Sequence, residues 1–439
     1  MHTMNRRHFI ALAANSLLLA GCAGNTATTA AGSGSAAEAA GSAAGSAAAV
    51  VVPPEAIAAG WTEEAWSDMY GMMHFMGYVD GGWDVDKYLE SEAGQWYIAN
   101  SANGFRRDLD HDDPEVNEKW AKKGIKRTYN AAANGMSEYT VFTSEDYDAS
   151  KPYPVLYGMH MGGSNIMGGE GMGWVEAGID NGYIVVIPSW AYTGDPEKDT
   201  EGATAAGEAA KAAGYDLSQP GQYETYIFRT SLDQVKANYN VDESRVFVAG
   251  ISGGGNAAAY IGMNCPDIVA GVSPSTGAAF QTIDITTSDT AKYGMALLMG
   301  CGELDAEQRW PITKDPIELG DVTNISPLAD RIEHVNNWHR AAGAVGGQET
   351  EESVKENAAG DEVSATTRFG IAFDKQWVDE YEGNYYMGDL FDANGDPRVR
   401  YMSIDDCPHS PAPEWATEVV SFFNHFSRDP QSHQIVFQA

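Results

Sequence analysis

Residues 245–259 read Arg245-Val246-Phe247-Val248-Ala249-Gly250-Ile251-Ser252-Gly253-Gly254-Gly255-Asn256-Ala257-Ala258-Ala259. The β-branched and aromatic run Val246-Phe247-Val248 predicts a buried strand. The Ala-rich stretch from Asn256 predicts a helix. Between them Gly250-Ile251-Ser252-Gly253-Gly254 fits G-x-S-x-G, which holds a serine hydroxyl on a sharp strand-to-helix turn. The flanking glycines let the backbone make that turn without a Cβ clash. The helix that follows points its amide dipole toward any anion forming at the hydroxyl. In a chain with 48 glycines the pattern alone is weak, and a Gly-rich turn with a bystander serine is the competing reading. The strand–turn–helix context singles out Ser252 as a candidate nucleophile.

Outward from this stretch, strands and helices alternate. Ile125–Asn130 and Glu138–Thr143 read as a strand pair around the turn Asn134-Gly135. Short apolar runs predict buried strands at 155–160, 183–187, 268–272 and 295–299, with a last strand at Tyr401–Ile404. Helical spacing marks 174–177, 223–239, 256–263 and 415–426. Such alternation predicts a mostly parallel sheet covered by helices on both faces. Two long segments interrupt it, at 190–222 and 306–385, and are expected to form lids or pocket walls. Trp310, Trp338 and Trp377 in the second line either an acyl or sugar pocket or the segment's own core. The stretch Asp392-Ala393-Asn394-Gly395-Asp396 faintly matches a calcium loop but lacks its downstream Glu, and a hairpin turn explains it better.

A serine nucleophile needs an imidazole base and a carboxylate to orient it; in α/β-hydrolases, which this elbow and strand order resemble, the acid precedes the histidine. Asp305 ends the strand-and-turn segment from Ala296 and is favoured over its neighbour Glu303. His409 follows the last strand. His334 and His339 lie in an insertion, and His425 lies inside the expected last helix. The loop His160-Met161-Gly162-Gly163-Ser164 follows an earlier strand and can aim a backbone N–H at a developing oxyanion. Gly253 N–H would be one donor, and Met161 or Gly162 the other. His160 itself reads as a buried brace for the turn rather than a base.

Together Lys151–Asn165, Trp174–Pro188, Ser231–Gly255, Ile268–Gly277, Ala296–Asp305 and Cys407–Phe423 resemble the extracellular polyhydroxybutyrate depolymerase and feruloyl esterase group of α/β-hydrolases. The likeness spans residues 125–430 apart from the insertions. It implies an α/β-hydrolase fold and a Ser252–His409–Asp305 triad. It also implies a serine-dependent carboxylic-ester hydrolase for small-molecule or polymer-linked esters of feruloyl, acetyl or hydroxyalkanoate type, with no metal or cofactor. Met161 replaces a glycine of the family's oxyanion loop. A cysteine bridge beside the nucleophile, present in some relatives, cannot form because Ile251 precedes Ser252. Cys301 either pairs with Cys407 or both remain buried thiols. Two other readings remain open. A prolyl-oligopeptidase-like peptidase would need a β-propeller, for which the first 120 residues are too few. A non-catalytic solute-binding lipoprotein would not need the elbow, acid and histidine.

The first residues carry an address. Residues 1–22 read as an export signal, with the twin-arginine-like Asn5-Arg6-Arg7-His8-Phe9-Ile10 and a lipobox-like Leu19-Ala20-Gly21-Cys22. Cys22 is then the lipidation site, tying the protein to the outside of a bacterial membrane. Residues 23–52 are almost wholly Ala, Gly, Ser and Thr and suit a flexible tether. Residues 53–124 form an N-terminal extension, and 125–439 the main domain. The net charge of −35 excludes nucleic acid as a partner, since no basic patch exists to neutralise phosphates.

Overall fold

The computed structural model describes residues 51–79, 83–162, 164–192, 194, 199–305, 310–313, 327–381 and 383–438. The expected export signal, Cys22 and nearly all of the tether lie outside the described residues. Among the described residues no helix is long and apolar enough to cross a membrane.

The centre of the molecule is a ten-stranded sheet in the order β1-β2-β4-β3-β5-β6-β7-β10-β9-β8. Its strands are β1 (Ile125–Asn130), β2 (Tyr139–Ser144), β3 (Tyr153–Met159), β4 (Ile184–Pro188), β5 (Val241–Ile251), β6 (Gly271–Ser275), β7 (Ala296–Gly302), β8 (Lys375–Glu380), β9 (Asn384–Phe391) and β10 (Pro397–Ile404). The six from β4 to β10 in that order run parallel, and antiparallel strands flank them on both sides. Parallel strands end on one edge, so the loops after β3, β5, β7 and β10 converge there. This is the α/β-hydrolase arrangement.

Alternation along the strands divides the core into two faces. Val155, Val246, Val248, Leu297, Met299 and Tyr401 point to one side. There they meet α9 (Gln222–Asn238), α10 (Gly253–Asn264) and α12 (Leu328–Ala342). Leu156, Phe247, Ala249, Leu298 and Met402 point to the other, against α5 (Pro114–Ala121), α7 (Trp174–Asp180) and α15 (Trp415–Phe423). The extension folds as α1 (Pro54–Ala58), α2 (Glu63–Val79), α3 (Val85–Glu90) and α4 (Glu92–Phe105) around its own core of Trp61, Trp66, Met69, Tyr88 and Tyr97.

Several expectations need correcting. The strand expected at 268–272 lies three residues later, because Ile268 and Val269 N–H close a turn on Cys265 at the end of α10. The last helix stops at Phe423. His425 lies past it, with its ring on Phe437 and Nδ1 3.0 Å from the Gln438 carbonyl. The 306–385 segment is not a lid throughout. Its helix α12 belongs to the covering layer and buries Trp338 against Phe280. Trp310 packs on Phe369, and Trp377 lies under Arg400, so all three tryptophans serve packing. The segment continues as α13 (Glu351–Ala358), α14 (Ala365–Phe369) and β8. In the 190–222 segment, α8 (Glu201–Ala212) packs small residues, Ala206 and Ala210, on Tyr223 and Tyr226. Its core is built from alanines, which is why no large apolar period marked it. The Asp392–Asp396 stretch is the turn of the β9–β10 hairpin, with Asp392 accepting the Asn394 and Asp396 N–H groups and pairing with Arg398.

Candidate active site

Ser252 lies between β5 and α10 with φ 62° and ψ −124°. A non-glycine residue there is strained, and strain of this kind persists only where its surroundings over-determine it. Here they do. Ser252 N–H is 3.1 Å from the Ser275 carbonyl and 2.9 Å from Thr276 Oγ1, both at the end of neighbouring β6. The turn is also too tight for side chains. A methyl on Gly250 would sit 2.3 Å from the Gly254 carbonyl group, and one on Gly254 2.3 Å from the Met159 oxygen. Thr276 escaped the sequence reading. The small polar cluster Ser273–Gly277 after a strand was the available signal.

The loop after β3 lies directly against this turn. A methyl on Gly253 would meet the Gly162 nitrogen at 2.9 Å and the Trp190 ring at 3.1 Å. Gly162 is therefore the loop residue that faces Gly253, while the Met161 carbonyl accepts the Ser164 N–H at 3.2 Å. His160 braces the turn, as expected. Its Nδ1–H donates to the Met161 carbonyl at 2.8 Å, its ring stacks on Trp190, and Trp190 Nε1–H donates to the His160 carbonyl at 3.0 Å. Burial pushes His160 down to about 4, so it is a neutral ring at pH 7.

At the ends of β7 and β10 the structure brings Asp305 and His409 together. His409 Nδ1 lies 2.9 Å from Asp305 Oδ1, and the Asp305 side chain is fully buried. Glu303 is engaged elsewhere: it pairs with Arg368 Nη1 at 2.9 Å and accepts the Asp406 N–H at 3.0 Å. Along the sheet β10 is three strands from β5. The His409 loop narrows that gap by folding back over the end of β7. Leu304 N–H donates to the Cys407 carbonyl at 2.9 Å, and a methyl on Gly302 would sit 2.3 Å from that oxygen. Ser410 N–H then closes on the Pro408 carbonyl at 2.7 Å, leaving His409 at the apex of a tight turn. The other candidate histidines of the insertion are placed elsewhere. His339 is buried between the Gly347 carbonyl and Tyr401 OH, and His334 lies on α12.

Cys301 and Cys407 are buried thiols with no bridge between them. Neighbouring strands do not suffice, because Cys301 belongs to one face of the sheet and Cys407 to the other. Burial pushes the Cys407 thiol well above its ordinary value, so it is no nucleophile at neutral pH.

Comparison with known proteins adds a family to this geometry. Residues 133–378, more than half of the chain, match the esterase family model. Over 68 residues the chain is 34% identical to poly(3-hydroxyalkanoate) depolymerase C of Paucimonas lemoignei, covering 16% of each protein. Similar solved structures include a thermostable esterase (13% identity, TM-score 0.34, 70% of this chain and 64% of that one). Another is a feruloyl esterase module from Clostridium thermocellum (14% identity, TM-score 0.33, 71% and 87%). The chain thus spans less than two thirds of the length of the first two. The family assignment itself rests on the long match, which runs from the β1–β2 turn to β8 and takes in Ser252 and Asp305: this chain belongs to the esterase family.

Proposed function

We propose that the protein is a serine-dependent carboxylic-ester hydrolase acting outside the cell. Ser252 Oγ attacks the ester carbonyl while His409 takes its proton. Asp305 holds the imidazole in the tautomer that presents Nε2 to the serine and stabilises the imidazolium. The Gly253 N–H and the Gly162 N–H stabilise the tetrahedral oxyanion, and α10 adds its N-terminal dipole. The alcohol leaves with the proton from His409, and water releases the acyl group from Ser252 by the same steps in reverse. No metal or cofactor enters the scheme. The observation that carries the reading is the buried Asp305–His409 hydrogen bond at the same sheet edge as the strained Ser252 turn.

The family match and the stretch similar to a poly(3-hydroxyalkanoate) depolymerase support an ester substrate; the proposed types are small-molecule or polymer-linked acetyl, feruloyl or hydroxyalkanoate esters. The Arg6-Arg7 leader, the lipobox and the tether support export and anchoring through a lipidated Cys22. Purified protein should hydrolyse p-nitrophenyl acetate or a member of a feruloyl, galloyl and hydroxyalkanoate ester panel, and a fluorophosphonate should label Ser252. Ser252→Ala should lose both. Turnover retained in that variant sinks the assignment. Cys22→Ser should release the protein from the membrane fraction and abolish labelling by a fatty-acid analogue.

A further inference from the structure

We infer that the N-terminal helical unit is a brace for the catalytic loops, and that Tyr88 is a positioning residue for His409. The inference rests on the triad proposed above. The loop carrying His409 contains Pro408, Pro411 and Pro413, which have no N–H to give to a backbone ladder. It must be fixed by other contacts. On its β10 side the Cys407 carbonyl is tied to Leu304. On its far side Ser410, adjacent to His409 and 1% exposed, meets the Tyr88 hydroxyl at 2.7 Å. That contact joins residues 322 positions apart and comes from the extension.

Tyr88 is itself held firmly. It lies on α3, whose Asp84 cap accepts the Lys87 N–H at 3.1 Å, and the Trp83 ring meets its ring edge-on. Ser91 Oγ–H donates to the Tyr88 carbonyl at 2.6 Å and turns the chain into α4. The α3–α4 corner is close enough that a methyl on Gly94 would sit 2.0 Å from the Tyr88 oxygen. Helix α4 then runs to α6 (Ile166–Glu170), the helix that follows the oxyanion loop. A methyl on Gly171 would be 2.2 Å from the Asn100 oxygen, and one on Gly104 2.7 Å from Gly168 Cα. The α3–α4 pair therefore touches, at one end, the loop that bears the base and, along α4, the segment behind the loop that bears the oxyanion donor. Their relative placement is what a serine hydrolase must keep constant.

Full-length Tyr88→Phe removes the hydroxyl and keeps the ring. Its kcat should fall about tenfold with KM within about twofold. The acidic limb of its pH–rate profile should move to lower pH, since a loosened imidazole gains less from Asp305. Ser410→Ala should do the same, Ser410→Thr should recover most of the loss, and Tyr88→Phe/Ser410→Ala should be no worse than either single change. Should Tyr88→Phe not fold, Ser410→Ala decides by the same criteria. An unchanged kcat and pH profile overturns the inference, as does a loss that follows thermal stability alone or doubles in the pair. If these variants behave like wild type while Ser252→Ala is dead, only the brace falls. If Ser252→Ala is active, the triad falls and the brace with it.

Discussion

Two carboxylates close together in sequence, Glu303 and Asp305, compete for one role, and their surroundings separate them. Asp305 is withdrawn from water and faces His409 Nδ1, whereas Glu303 is more than a third exposed and joins Arg368 and Asp406. Asp305→Asn would offer an amide N–H where an acceptor is needed and favour the wrong imidazole tautomer. The expected loss in kcat is roughly 10³–10⁴-fold, with KM little changed. Glu303→Gln should cost less than about tenfold, because its contacts are loop ties at the protein surface. Steady-state kinetics on the two variants distinguish acid from neighbour, and a reversed order would hand the role to Glu303. The preference for Asp305 was legible, since the acid follows its strand by a few residues. That Gly162 rather than Met161 faces Gly253 was not, because both amides lie in one loop and only its approach to Gly253 separates them.

Among elements, the contact of α4 with α6 sets two local effects against each other. Gly→Ala in a helix ordinarily stabilises by up to about 1 kcal/mol. At Gly104 the new methyl would sit 2.7 Å from Gly168 Cα, a backbone atom that cannot swing aside. Overpacking of that kind costs about 1–3 kcal/mol. Packing should win: Gly104→Ala should lower unfolding free energy by about 1–2 kcal/mol in urea titration, and a gain would mean the two helices part easily. The strands and helices of the sheet were legible because periodicity and turn residues mark them locally. The extension was not, because four short helices share a core of Trp, Tyr and Met without a clean period. Helix α12 was passed over as part of an insertion, although Ile332, Val335, Trp338 and Ala342 recur on one helical face.

For the molecule as a whole, buried ionisable groups set the pH dependence of stability. Burial pushes His160 and His339 down to about 4. Unfolded, each titrates near its ordinary value of about 6.5. The unfolded chain therefore binds more protons from just below pH 6.5, and each ring costs on the order of 2 kcal/mol of stability by pH 5. Glu224 runs the other way: desolvation pushes it up to about 7, so it takes up a proton in the fold over the same range and offsets one histidine. His111, held above its ordinary value by its hydrogen bond to Glu138, binds its proton more readily in the fold and so adds stability as pH falls through the top of this range, opposing the two buried rings. A net loss of about 2 kcal/mol between pH 6.5 and 5 is expected from urea midpoints. His339→Gln, though less stable at pH 7, should show almost none of that slope; an unchanged slope would mean the buried ring is not its cause.

Contiguous residues determined which candidate groups this chain can offer: a serine between a strand and a helix, an acid and a histidine following later strands, and a glycine-bearing loop after β3. Each is a local pattern, governed by backbone sterics and side-chain period within a dozen residues. Tertiary structure alone decided that the Asp305 and His409 side chains meet, which face of the sheet each cysteine occupies, and that Tyr88 reaches Ser410. Those outcomes join residues a hundred to three hundred positions apart. They depend on how whole layers pack, and no neighbouring residues encode that packing.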